Sequence, residues 1–246
     1  MRRILLVVSY DGTNYHGWQL QKNAVTIEGK LNDALKSLTG EDIQVIGASR
    51  TDAGVHALGN IAVFDTESKI AGEKFVYALN ARLPDDIVIQ DSKEVEKDFH
   101  PRHRACRKTY EYTILNRSFP LPEYRNSAMF CYGTLDVEKM KEAVEKFVGE
   151  YDFAAFCAAG AQVETTVRRI YDASVKREGE KILIRITGNG FLYNMVRIIV
   201  GTLLEVGRGK ILPEEIEEII ASKSRNQAGP TAQAKGLKLL EICYLE

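Results

Sequence analysis

One carboxylate stands in an unusual setting, within Gly47-Ala48-Ser49-Arg50-Thr51-Asp52-Ala53-Gly54-Val55-His56-Ala57. The segment leaves an apolar run, surrounds an Arg and an Asp with small residues, and turns at Gly54 towards a second apolar run. Loops at strand ends on a rigid scaffold are where functional groups sit. An ionised carboxylate there can act as nucleophile or general base. The competing explanation is a tight turn in which Asp52 accepts backbone N–H bonds.

Arg197 is the second unusual residue, because it interrupts the apolar stretch Phe191–Val200. A helix so apolar must be mostly buried. A buried guanidinium keeps its proton and needs a carboxylate or several carbonyl oxygens. Gly201, four residues on, lies on the same face and leaves room for another segment to approach. Alternatively, Arg197 reaches along the helix to solvent or to Glu205. If Asp52 were its partner, the pair would hold the carboxylate ionised and oriented at neutral pH.

The third feature is His100-Pro101-Arg102-His103-Arg104-Ala105-Cys106-Arg107-Lys108-Thr109-Tyr110, with four cations, two histidines and no acid. A solvated basic linker accounts for it. The alternative is an RNA-binding patch of Arg102, Arg104, Arg107 and Lys108, since cations beside a stacking aromatic such as Tyr110 suit an extruded base. Strand tyrosines are also common core residues. Trp18, flanked by Gly17 and Gln19, reads as loop packing.

No Walker loop, G-x-G-x-x-G, H-E-x-x-H or G-x-S-x-G occurs, so phosphoryl transfer, nicotinamide chemistry, zinc hydrolysis and serine hydrolysis lose their usual support. The four cysteines contain no C-x-x-C pair and read as reduced thiols; four histidines, remote from them, make no metal site. With 33 basic and 34 acidic side chains the net charge is −1, so a polyanion must be met by a local basic patch. The longest apolar stretch, Phe191–Val206, carries Asn194, Arg197 and Glu205 and falls short of a membrane span. A soluble, cytoplasmic protein is expected.

The elements that must position these residues alternate between strand and helix, an α/β or α+β pattern. Ile4–Tyr10 reads as a strand, and Thr26 caps a helix with Ile27, Leu31, Ala34, Leu35 and Leu38 on one face, ended by Gly40. Ile43–Ala48 and Asn60–Phe64 read as strands, Glu73–Leu83 as a helix stopped by Pro84, and Ile87–Gln90 as a strand. This β-α-β-β-α-β order is the split βαβ pattern. It begins again with a strand at Thr109–Ile114 and a helix capped by Asp136. Paired strands Val167–Lys176 and Ile182–Thr187, a helix at Leu192–Val206, a helix begun by Pro213 and a strand at Leu237–Tyr244 follow. Two subdomains are expected, 1–104 with the Asp52 loop and 105–246 with Tyr110 and Arg197.

Taken together, the segments resemble the bacterial tRNA pseudouridine synthase A family, almost end to end. The most specific are Arg50-Thr51-Asp52-Ala53-Gly54-Val55-His56-Ala57 and Phe191-Leu192-Tyr193-Asn194-Met195-Val196-Arg197. Tyr10-Asp11-Gly12-Thr13, Gly17-Trp18-Gln19-Leu20-Gln21, Phe99-His100-Pro101-Arg102 and Lys108-Thr109-Tyr110-Glu111-Tyr112 add to them. The resemblance implies two ferredoxin/RRM-like split-βαβ subdomains sharing a continuous, mostly antiparallel sheet, with the active cleft between them, and a homodimer. It implies isomerisation of uridine to pseudouridine at positions 38, 39 and 40 of the tRNA anticodon stem–loop. Asp52 would be the catalytic carboxylate and nucleophile, Tyr110 would stack on the target base, Arg197 would pair with Asp52, and Arg50 would help hold the extruded nucleotide. Ser49 and Gln233 depart from residues frequent in that family, outside the catalytic set.

Such an isomerisation exchanges an N–C glycosidic bond for a C–C bond without redox or phosphate transfer, so no cofactor is required. The base must leave the stack, which calls for a basic cleft, an aromatic platform and one poised carboxylate. Asp52 could attack C1′, attack C6 or remove the 2′ proton. The rivals are a non-catalytic RNA-binding module and a nucleoside hydrolase, although the latter normally uses two carboxylates.

Overall fold

Thr26 and Gly40 delimit the first helix. The Thr26 hydroxyl accepts from the Gly29 amide at 3.2 Å, and Gly40 closes the helix at φ 77°, a left-handed conformation that glycine adopts without strain. Between them α1 (Ile27–Thr39) buries Ile27, Leu31, Ala34 and Leu35. The structure is a computed structural model that describes residues 1–160 and 163–245. Two compact units divide it, one of residues up to Cys106 together with those from Lys238 onward, the other Arg107–Leu237.

In the first unit β1 (Arg2–Tyr10) lies antiparallel between β3 (His56–Thr66) and β4 (Ile87–Val95). The far edge of β3 is shared. Its end pairs with the two-residue β2 (Ile46–Gly47), and its start pairs in parallel with β10 (Leu237–Tyr244) through Lys238 and Leu239. Ile43–Ala48 therefore does not form the full strand that its apolar pattern predicts: the Val45 amide bonds the Asn32 side chain instead. The helix expected over 73–83 is a 3₁₀ turn followed by α2 (Phe75–Asn80), because the Asn80 side chain leaves the helix to bond both backbone groups of Ile89, at 2.8 and 2.9 Å.

The second unit is built on β5 (Cys106–Asn116), β6 (Met129–Cys131), α3 (Val137–Glu145), β7 (Gly149–Asp152), β8 (Val167–Glu178) and β9 (Lys181–Gly188). β5, β9, β8 and β7 pair antiparallel in that order, and β6 adds in parallel to the end of β5. Asp136 caps α3 by accepting from the Lys139 amide at 3.1 Å, and Gly179 turns the β8–β9 hairpin. Both units are thus mixed α/β with mostly antiparallel pairing, and the described residues hold five α-helices. The closing strand differs from expectation. The sequence-based boundary keeps all of 105–246 together, whereas residues from Lys238 onward cluster with the first unit, where β3 offers them a backbone edge.

Two helices complete the second unit: α4 (Met195–Gly207), begun one turn later than the apolar run because Asn194 sits at φ 59°, and α5 (Glu215–Ser222). α4 is apolar nearly all round and buries eleven residues. Its Gly201 admits a crossing segment. The Gly229 amide bonds the Thr202 hydroxyl at 2.9 Å, and a Cβ at Gly201 would collide with the Pro230 carbonyl oxygen and come within 2.8 Å of its carbon. Gly201→Ala should therefore lower stability by about 1–3 kcal/mol through overpacking. Thermal unfolding, with exposed Glu218→Ala as the control, checks this; a melting temperature equal to the control's would contradict it.

Candidate active site

The Asp52 bend is braced on both arms by the loop that follows β1. On the entering arm the Trp18 amide bonds the Thr51 carbonyl at 3.0 Å, and the Tyr10 and Thr51 hydroxyls bond at 2.7 Å. The Asn60 side chain holds the Ser49 carbonyl at 3.0 Å and reaches the Tyr10 hydroxyl at 3.3 Å. Gly17, at φ 87°, lies so close that a Cβ would sit 2.6 Å from the Thr51 carbonyl oxygen and 3.1 Å from the Asp52 carbonyl carbon. Trp18 is only 2% exposed, and its indole fills the space left by the missing side chain of Gly47.

The leaving arm is fastened separately. The Val55 amide bonds the Asp52 carbonyl at 3.1 Å, closing the bend at Gly54 (φ 76°), and the Gly54 amide reaches the Tyr15 carbonyl at 3.3 Å. His56 Nδ1 lies 3.1 Å from the Gly12 amide and 3.0 Å from Asp11 Oδ1. A neutral ring accepts from the amide and a protonated one donates to the carboxylate, so one contact holds in either state. Burial opposes ionisation of Asp11, but the Thr13 hydroxyl and amide, with His56, outweigh it and hold the carboxyl below its usual value. Asp86 accepts from the Tyr15 hydroxyl and anchors the same loop. Asp52 is thus a half-buried carboxylate on a bend with little freedom to move.

Arg50 is exposed beside this bend, and Arg102 comes close enough to feel it. Partial burial and then the Arg50 charge pull the Arg102 guanidinium below its ordinary value, with Glu28 opposing them. Two cations held together in one unit favour a bound anion. The rest of the basic stretch is divided. Arg104 is paired with Glu96 at 2.9 Å and packs over the Phe99 ring, whereas Arg107, in the second unit, lies 4.7 Å from the Tyr171 ring centroid. Lys108 pairs with Gly188 across β5 and β9.

Tyr110 and Arg197 are both in the second unit. Tyr110 is 7% exposed on β5 and meets Phe191 edge-on at 5.1 Å. Its neighbour Tyr112 is core, with its hydroxyl donating to the Gln233 carbonyl at 2.7 Å. Arg197 donates from Nε to the Ala232 carbonyl and from Nη1 to Asn194 Oδ1, each at 2.7 Å, while its own carbonyl accepts from the Ala232 amide at 3.0 Å. It does not run to Glu205, which is occupied by Arg208 and Lys210. The segment admitted by Gly201 supplies the carbonyl that aims Arg197.

Sequence patterns do not assign a bracing role to Gly17, Asn60, His56 or Ala232, although Gly17 and His56 lie in segments that carry the resemblance. Among the described residues no three His, Cys, Asp or Glu side chains are grouped to hold a metal ion, and no helix is long and apolar enough to cross a membrane.

Comparison with known proteins accounts for these elements together. A family model described as tRNA pseudouridine synthase matches residues 6–103 and 143–245. Among curated relatives, tRNA pseudouridine synthase A of Acetivibrio thermocellus is 53% identical over 244 residues, covering 99% of this chain and 100% of the relative. The protein of the same name from Thermoanaerobacter sp. is 52% identical with the same coverage, and that of Syntrophomonas wolfei is 46% identical over 246 residues, covering 100% of this chain and 99% of the relative. Both the braced Asp52 bend and the Arg197 helix fall within the matched ranges, and the chain belongs to the tRNA pseudouridine synthase family.

Proposed function

We propose that this chain isomerises uridine to pseudouridine in tRNA, at positions 38, 39 and 40 of the anticodon stem–loop, with Asp52 as the catalytic nucleophile. The observation that carries the proposal is a half-buried carboxylate on a bend braced at both arms, in a chain of this family. Its full-length relatives bear the name tRNA pseudouridine synthase A. Preorganisation of this kind favours reaction, because a carboxylate already in place needs no ordering at the moment of attack. The Arg50–Arg102 pair supports a polyanionic substrate, since two neighbouring cations are relieved by phosphate.

In the proposed reaction the glycosidic N–C bond breaks and a C–C bond forms between the same sugar and base. A proton leaves the base carbon and one is taken up at nitrogen, so the product has the substrate's mass. Tyr110 is the proposed platform for the extruded base, and Arg50 helps hold the nucleotide. Arg197 keeps the role that the resemblance gives it, counter-ion of the catalytic carboxylate. The proposal further includes a homodimer, a cytoplasmic location and no cofactor. Incubation of the pure protein with unmodified tRNA, followed by pseudouridine mapping, tests reaction and position together. Free uracil would make the protein a hydrolase, and binding without product would make it an RNA-binding module.

Asp52→Asn should abolish pseudouridine formation while tRNA affinity stays within about tenfold of wild type. Normal turnover in that variant refutes the assignment. Arg197→Leu leaves the Ala232 and Asn194 oxygens without their charged donor and should reduce turnover or stability by roughly 3 kcal/mol. Single-turnover rates and thermal unfolding together read that loss, and full activity at wild-type stability would remove Arg197 from the site. In the basic stretch, Arg102→Ala and Arg107→Ala should each flatten the salt dependence of tRNA binding by about one contact. Arg104→Ala should change it little, because Glu96 already neutralises that charge. Equal slopes for all three variants would contradict this ranking.

A further inference from the structure

Arg168 opens β8 in the second unit, on the strand paired with the Gly188 end of β9. It is half-buried, and burial pulls its guanidinium below the ordinary value. Other half-buried arginines here have a carboxylate: Arg2 has Glu94, Arg3 has Asp65 and Arg117 has Glu180. Arg168 has none among the described residues. Among the described residues its hydrogen bonds run from Nη1, to the Thr165 carbonyl at 2.8 Å and the Val167 carbonyl at 2.6 Å. The titratable neighbour that it feels is the Cys157 thiol, which burial pushes up and keeps neutral. Asp152, on adjoining β7, is committed to Thr166 and to Lys223 at 2.9 Å.

Those two carbonyls fix the guanidinium through Nη1 and leave the Nε–Nη2 edge for another acceptor. That edge presents two parallel N–H groups, the geometry that matches two oxygens of a phosphate. Gly190 lies alongside it: a Cβ there would make ordinary contacts, 3.7 Å from Nε and 3.8 Å from Cδ, so the branches of a larger side chain at 190 would crowd that edge. Gly190 precedes Phe191, whose ring meets Tyr110 and also lies 3.2 Å from where a Cβ of Gly188 would be. The open edge and the proposed base platform therefore belong to one continuous stretch of the second unit.

We infer that Arg168 binds a backbone phosphate of the RNA strand through its Nε and Nη2 groups, at a subsite beside Gly190 and adjoining Tyr110. The inference rests on the proposed tRNA substrate and adds a residue that positions its backbone. A small residue suffices at 190, since its φ is not among the positive values and a Cβ there would meet only ordinary contacts.

The test is filter binding of an unmodified tRNA transcript across a salt series, with pseudouridine mapping on the same samples. Arg168→Gln should weaken binding five- to tenfold and reduce the log–log salt slope by about 0.7–0.9, the value of one phosphate contact. Gly190→Val keeps the guanidinium and its two carbonyl bonds but covers the edge, and should reproduce the weaker binding and the flatter slope. The double variant should bind no more weakly than either single one. Wild-type affinity and slope in Gly190→Val overturn the inference even if Arg168→Gln is unstable. Pseudouridine formed by wild type with both variants binding normally removes only the Arg168 subsite; the expected binding losses with no pseudouridine from wild type keep the subsite and remove the isomerase.

Discussion

The close approach of Gly17 to the Thr51–Asp52 backbone is the constraint on which the site depends. With a Cβ only 2.6 Å from the Thr51 oxygen, no other residue fits at 17 without moving the bend, and the left-handed φ excludes most of them independently. The Trp18–Thr51 bond, the Trp18 indole against Gly47 and the Tyr10–Thr51–Asn60 hydroxyl and amide contacts follow from that approach. Gly12 does the same on the leaving arm, because a Cβ there would strike the Val55 carbonyl oxygen. The Asp52 bend is therefore held by close backbone approaches and a few polar side chains. The ionisable groups around it are few, and most are engaged with one another.

A carboxylate positioned in this way differs from one steered by a flexible loop. Its orientation is prepared in the fold, through polar groups that are either buried and satisfied or tied to a backbone atom. The second unit applies the same principle to a cation. Arg197 is aimed by the Ala232 carbonyl and Asn194, and that carbonyl is present because Gly201 lets the 229–232 segment cross the helix. In each unit a glycine admits a neighbouring chain, and the neighbouring chain orients the functional group.

Much of this was legible from local pattern. The Thr26 and Asp136 caps, the Gly40 stop, the hairpin at Gly179 and the apolar face of α1 are set by interactions within a few residues, and they appear where spacing places them. The room left by Gly201 was legible for the same reason. The length of β2 was not, because the Val45 amide is taken by the Asn32 side chain thirteen residues away. Likewise, the helix expected over 73–83 ends early because Asn80 bonds a strand nine residues away.

Charge was the least legible property. A run of four cations reads alike whether its members are free or paired, yet Arg104 is paired with Glu96 while Arg102 feels the charge of Arg50. Sequence by itself determined the family, the mixed α/β class, the candidate carboxylate and the capped or turn-limited ends of several elements, since these rest on residue type and short-range periodicity. Tertiary structure alone decided which carbonyl aims Arg197, which arginines lack a carboxylate, and which unit receives the last strand. Those outcomes depend on which polar groups and backbone edges remain unpaired after the chain has packed, and that is set by residues far apart in sequence.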